Sequence, residues 1–147
     1  MRIVLTAILA LATACTQPPA STEAPDPPTV RADQSAAILS VLNPAVAAEI
    51  GGPVRLEIKQ VNILNEWAWV AVQTLQPDGS AITWTTTALA SRYENGAMDE
   101  GGGAYALLKQ ENGAWRIVTQ VIAPTDMAWA SWPADYGAPA EIMGLTD

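Results

Sequence analysis

Three carboxylates, Glu94, Asp99 and Glu100, fall within seven residues in a glycine-rich stretch of this 147-residue chain. Carboxylates so spaced can hold a hard cation, or share the acid and nucleophile roles of glycoside hydrolysis. The same composition also makes an ordinary solvated acidic loop. Asp126, after Thr125, is a further candidate for contact with a ligand, and most simply caps the helical turn that follows it. Histidine is absent, which excludes Ser-His-Asp and Cys-His catalysis and histidine-bearing zinc sites. Gly101-Gly102-Gly103 runs into Ala104-Tyr105 rather than the lysine and hydroxyl residue of a phosphate loop. No D-x-[DN]-x-[DN]-G calcium loop occurs. The sequence asks for no metal or cofactor, and spacing marks no pair of residues as catalytic.

The aromatic set is six tryptophans, three tyrosines and no phenylalanine. Trp67 and Trp69, two apart in an apolar run, share one face of a strand. With Trp115 they read as core, since tryptophan fills the concavity of a curved sheet. Trp84 belongs to a neighbouring strand. Trp129 and Trp132 are three apart and so lie on one side of a helical turn. Their segment is rich in alanine and proline and offers few apolar partners. Trp129, Trp132 and Tyr136, with Asp126, are therefore the candidate ligand-binding residues, because exposed aromatic clusters mark interaction sites.

These side chains must be positioned by a small set of elements. Residues 31–42 carry Ala37, Ile38, Val41 and Leu42 at helical spacing. Asn43-Pro44 reads as a cap followed by proline at the first position of a second short helix, 44–50, closed by Gly51-Gly52-Pro53. Val54, Leu56 and Ile58 then alternate with charged residues as a strand. Val61 and Ile63 sit on the opposite parity, so a bulge is expected near Lys59-Gln60. Strands follow at 67–75 and 81–89, joined by Gln76-Pro77-Asp78-Gly79-Ser80. Two more, 105–109 and 115–122, are joined through Asn112-Gly113, a strong hairpin signal. A polar loop fills 91–103. A helix or helix pair before an antiparallel meander predicts an α+β domain, with a curved sheet of about five strands wrapped on the helix. Cystatin-like and nuclear transport factor-like folds are built this way.

The N-terminal stretch has a different character. Arg2 precedes an apolar run from Ile3 to Ala12. That run is too short for a bilayer, which needs about 20 residues, but fits a signal-peptide core. Leu11-Ala12-Thr13-Ala14-Cys15 resembles the lipobox of bacterial lipoproteins, in which the cysteine is acylated and becomes the new N-terminus. Cys15 is the sole cysteine. Ala12-Thr13-Ala14 is also an A-x-A signal for plain secretion, which would leave Cys15 a free thiol. The lipoprotein family carries two or three acyl chains, enough for stable anchoring where one is marginal. Its sorting rule, with Thr16 rather than aspartate after the cysteine, implies the periplasmic face of the outer membrane in a two-membrane bacterium. Residues 15–29 then form a proline-rich tether that cannot bury enough surface to order itself. Its extended reach is roughly 40 Å, at about 3.1 Å per residue.

Residues 30–147 remain as one domain, long enough for a single core. Loss of residues 1–14 leaves six of the seven basic residues against fifteen acidic ones, moving the net charge from −8 to −9. This argues against nucleic acid, which needs a basic surface. Trp67-Ala68-Trp69-Val70, Pro77-x-Gly79, Ala106-Leu107-Leu108-Lys109, Gly113-x-Trp115-Arg116-Ile117-Val118, Pro124-Thr125-Asp126 with Trp129 and Trp132, and Tyr136-Gly137-x-Pro139 form a pattern over about half the chain. It resembles a small secreted bacterial domain to which no activity is attached. The resemblance implies a shared fold and no catalytic residue. The expected function is a non-enzymatic binding or adaptor domain, anchored to the membrane by lipid and meeting an envelope protein or glycan. The alternative is a carboxylate-dependent hydrolase of cell-wall glycan using Glu94, Asp99 or Asp126.

Overall fold

The computed structural model describes residues 32–145. The expected signal peptide 1–14, Cys15 and tether 15–29 lie outside the described residues. The domain is α+β: a helix packs on a four-stranded antiparallel sheet. Among the described residues no helix is long and apolar enough to cross a membrane.

Helix α1 spans Ala32–Ile50 without interruption, so the expected break at Asn43-Pro44 is corrected. Its buried residues are Ile38, Leu42, Val46 and Ile50, one every four positions on both sides of the proline. Pro44 itself is exposed. Interior proline removes a hydrogen bond and costs about 3 kcal/mol. Burying four aliphatic side chains at about 1.5 to 3 kcal/mol each outweighs that. The Asn43 amide does not cap a helix; Nδ2 donates to the Val54 carbonyl at 3.4 Å. Gly51, at φ +87°, ends the helix, and a Cβ there would meet Ala88 Cβ at 3.0 Å. Both its backbone and its neighbour therefore require glycine.

Strands β1 (Arg55–Leu64), β2 (Trp67–Leu75), β3 (Gly103–Glu111) and β4 (Ala114–Ile122) pair in sequence order. β1 slips against β2 between Ile58 and Gln60, the bulge read from the parity change. β4 slips against β3 where Leu107 faces Thr119 and Leu108 faces Ile117, leaving Val118 extra. Each edge strand thus carries one bulge. In β1 it keeps Leu56, Ile58, Val61 and Ile63 on one face across the slip. In β4 it keeps Trp115, Ile117 and Ile122 on the helix side while Val118 and Val121 face the other. Asn65 and the Asn112-Gly113 pair take positive φ at the two tight turns, as such turns require.

The fifth strand does not form. Within residues 81–89 only Ala81 bridges to Leu75. The chain then turns as a 3-10 helix, Trp84–Thr86. Thr86 and Thr87 hydroxyls donate to the Thr83 and Trp84 carbonyls at 2.8 and 2.7 Å. Local hydroxyl bonding competes with a sheet ladder and wins here, and it aims Trp84 into the core. The expected loop 91–103 likewise begins inside a one-turn helix, α2 (Ala90–Glu94).

The sheet is covered on both faces. α1 packs on one, against Leu56, Ala68, Val70, Val72, Ala106, Leu108 and Trp115. The other face carries Trp67, Trp69 and Leu107, beneath the segment that follows β4. That segment contains a 3-10 turn (Ala128–Ser131), helix α3 (Trp132–Tyr136) and a second 3-10 turn (Ala140–Met143).

Candidate functional site

The expected aromatic surface is divided by the fold. Trp132 is 6% exposed and packs with Trp67, Trp69, Leu107, Ile142 and Met143, so its expected exposure is corrected. Trp129 is half-buried beside the same cluster. Tyr136 faces outward at 42% exposure and Met127 at 53%, the exposed large hydrophobic side chains of the domain among the described residues. Asp126 is exposed, and the cap position of the following turn is Met127, with no side-chain cap bond. The expected capping by Asp126 is therefore also corrected. The apolar partners that the alanine and proline content hid are supplied by the sheet.

What the fold does assemble is an aromatic trio. Ala71 faces Tyr105 and Trp69 faces Leu107 across β2 and β3, which makes Trp69 and Tyr105 diagonal neighbours on one face. Their rings stack at 5.9 Å between centroids and 25° between planes. Trp129 comes down from the covering segment at 4.1 Å from Tyr105 and 5.8 Å from Trp69. Trp69 is 5% exposed. The Nε1 atoms of Trp69 and Trp129 are both buried without a hydrogen-bond partner. Buried indole N–H groups usually find an acceptor, so two unpaired donors in one trio set it apart from ordinary core. The sequence places Trp69 correctly in the core but does not reveal Tyr105 as its partner. The signal was present: residues 67–72 are apolar at both parities, and such a strand is covered on both faces.

The acidic loop gathers less than its sequence suggests. Glu94, Asp99 and Glu100 are all exposed. Among the described residues no group of three histidine, cysteine or acidic side chains could hold a metal ion. Glu100 Oε1 accepts the Tyr93 hydroxyl at 3.1 Å. That bond, and the carboxylate charge beside it, hold the Tyr93 phenol above its ordinary pKa of 10.0.

An open cleft of about 240 Å³ lies elsewhere, at the C-terminal end of α1. Gly51, Pro53, Gln76, Pro77, Ile82 and Thr83 are among its walls, and none of its lining residues is a carboxylate. The Thr86 and Thr87 hydroxyls on its rim already donate to carbonyls of their own turn. Neither Trp129 nor the acidic loop reaches it. No family model, curated protein or solved structure matches the chain.

Proposed function

We propose that the protein is a lipid-anchored bacterial envelope protein whose domain binds an envelope protein or glycan without catalysing a reaction. The anchor is an acylated Cys15, the tether is residues 15–29, and the location is the periplasmic face of the outer membrane in a two-membrane bacterium. The apolar run, the small residues before Cys15 and the absence of any other cysteine support the anchor.

One observation carries the binding reading. The Trp69–Tyr105–Trp129 trio, with its two unpaired indole donors, is bordered along the chain by the exposed side chains of Met127 and Tyr136. Large aromatic and methionine side chains at a surface supply most of the affinity where proteins meet partners. A helix over a sequential antiparallel meander supports the cystatin-like layout of the two named from sequence.

Two measurements test the proposal. Intact mass spectrometry of membrane-extracted protein gives a chain beginning at Cys15 with added acyl mass; an unmodified chain in the aqueous fraction overturns the anchor. A photo-crosslinking residue at Tyr136, in the tethered protein in intact envelopes, gives a discrete adduct, whereas one at Thr83 beside the cleft does not. Equal labelling at both positions overturns the binding face.

A further inference from the structure

Residues 127–145 cross the aromatic face of the sheet as a strap of single turns, the longest of five residues. Helices this short have no stability of their own. The strap's backbone bonds close on itself: Gly137 N–H to Pro133 O at 2.9 Å, Leu145 N–H to Ala140 O at 3.1 Å. Among the described residues it exchanges no backbone hydrogen bond and no ion pair with the sheet. One side-chain bond ties it down, from Asn62 Nδ2 on β1 to the Ile142 carbonyl at 2.6 Å. The unpaired indole N–H groups lie one on each side of the contact, Trp69 on the sheet and Trp129 on the strap. Each is a donor that water would satisfy if the two sides parted.

We propose that residues 127–145 are a lid that lifts as a unit while α1 and the sheet stay folded, with Asn62 as its latch. Lifting hydrates both indole donors and uncovers Trp67, Trp69 and Tyr105. It turns about residues 124–126, where Thr125 and Asp126 are exposed. Ala123, just before, is fixed to the sheet end by its N–H to Gly103 O at 2.7 Å and by its carbonyl, which accepts the Asp99 N–H at 2.8 Å. The burial of Trp132, Ile142 and Met143 keeps the lid mostly closed.

Hydrogen exchange of the full-length protein, followed by mass spectrometry across low denaturant concentrations, is the test. Strap amides, Gly137 and Leu145 among them, should exchange with one shared denaturant slope, at least about a hundredfold faster than amides in the middle of β2 and β3. Asn62→Ala should speed strap exchange roughly five- to tenfold, as loss of one hydrogen bond implies, and speed β2 and β3 by no more than that factor, because the lifted and unfolded states gain equally on the closed one. Asn62→Asp keeps the shape but replaces the donor with an acceptor, and should act more strongly. A flat denaturant slope would mean local fraying and overturn the lid. So would exchange of strap and sheet together, or a latch variant that leaves strap exchange unchanged.

Discussion

The two faces of the sheet are closed in opposite ways. On one, a single 19-residue helix satisfies its own interior backbone except at Pro44 and lays four aliphatic side chains against the sheet. Small residues there, Ala68, Ala104 and Ala106, let it approach closely. On the other face a strap of short turns has no regular ridge to interdigitate, so tryptophans fill the space instead. Large rings close an irregular gap but bring polar atoms with them, and two indole N–H groups are stranded in the process. The helix face is not perfectly sealed either. Gln120 Nε2 donates to Glu49 at 3.0 Å while its Oε1 is buried without a partner. One amide oxygen is the smaller fault, because the same side chain is already held on its other atom. The helix face is thus the stable half and the strap face the adjustable one.

The largest effect should come from the helix face. Trp115 is 6% exposed in that core. Trp115→Ala should cost about 3 to 5 kcal/mol, a large share of a small domain's stability. Urea denaturation checks it. Trp132, equally buried but carried by the strap itself, gives the contrast. Once the strap lets go, no further contact there can be lost, so the cost of Trp132→Ala to global stability is capped at the free energy of lifting the strap and should fall below that of Trp115→Ala. Trp132→Ala unfolding the domain as fully as Trp115→Ala would show that the two faces fold as one unit.

The helix face was the more legible of the two, and the reason is periodicity. The i, i+4 stripe of α1 and the parity change at Lys59-Gln60 are regular signals that survive in the bare sequence. The hairpin at Asn112-Gly113 is written in residues that tolerate positive φ. The bulge in β4 was hidden because Ile117, Val118, Val121 and Ile122 are apolar at both parities, so no switch could be seen. Pro44 suggested a break because local propensity disregards the packing that carries α1 through it. Residues 81–89 read as a strand because threonine and tryptophan favour sheets, yet the hydroxyls of Thr86 and Thr87 bond within a turn. The strap was the least legible. Its buried residues, Trp132, Ala138, Ile142 and Met143, follow no period. Only the sheet beneath, apolar on both faces, recorded that something must cover it.

The proline in α1 offers a gain rather than a loss. Pro44 is exposed and lies in the helix interior, with no N–H for the Ser40 carbonyl. Pro44→Ala restores that bond and removes a clash, offset in part by the greater freedom of the unfolded chain. The net expectation is about 1 to 2 kcal/mol of added stability. Thermal unfolding reads it directly. Strap exchange should not slow in parallel with the melting temperature, since the change lies on the far face. Equal slowing of strap and sheet would erase the distinction between a stable and an adjustable half.

The smallest effect belongs to the acidic loop, outside both faces. The Tyr93 phenol is raised above 10.0, first by its hydrogen bond to Glu100 and then by that residue's charge. A raised folded-state value means that the interaction favours the protonated phenol. Its contribution is therefore complete below pH 10 and disappears as pH rises through the folded value. Both groups are too exposed for a measurable share of stability, so the readout is titration rather than melting. Ultraviolet titration should show Tyr93 ionising later in the parent protein than in Glu100→Gln, which brings it back toward 10.0 by removing the charge and weakening the bond. Neither face of the sheet should respond, so strap exchange in Glu100→Gln matches the parent protein. A Glu100→Gln variant that loosened the strap would couple the loop to the lid and make the loop part of the adjustable half.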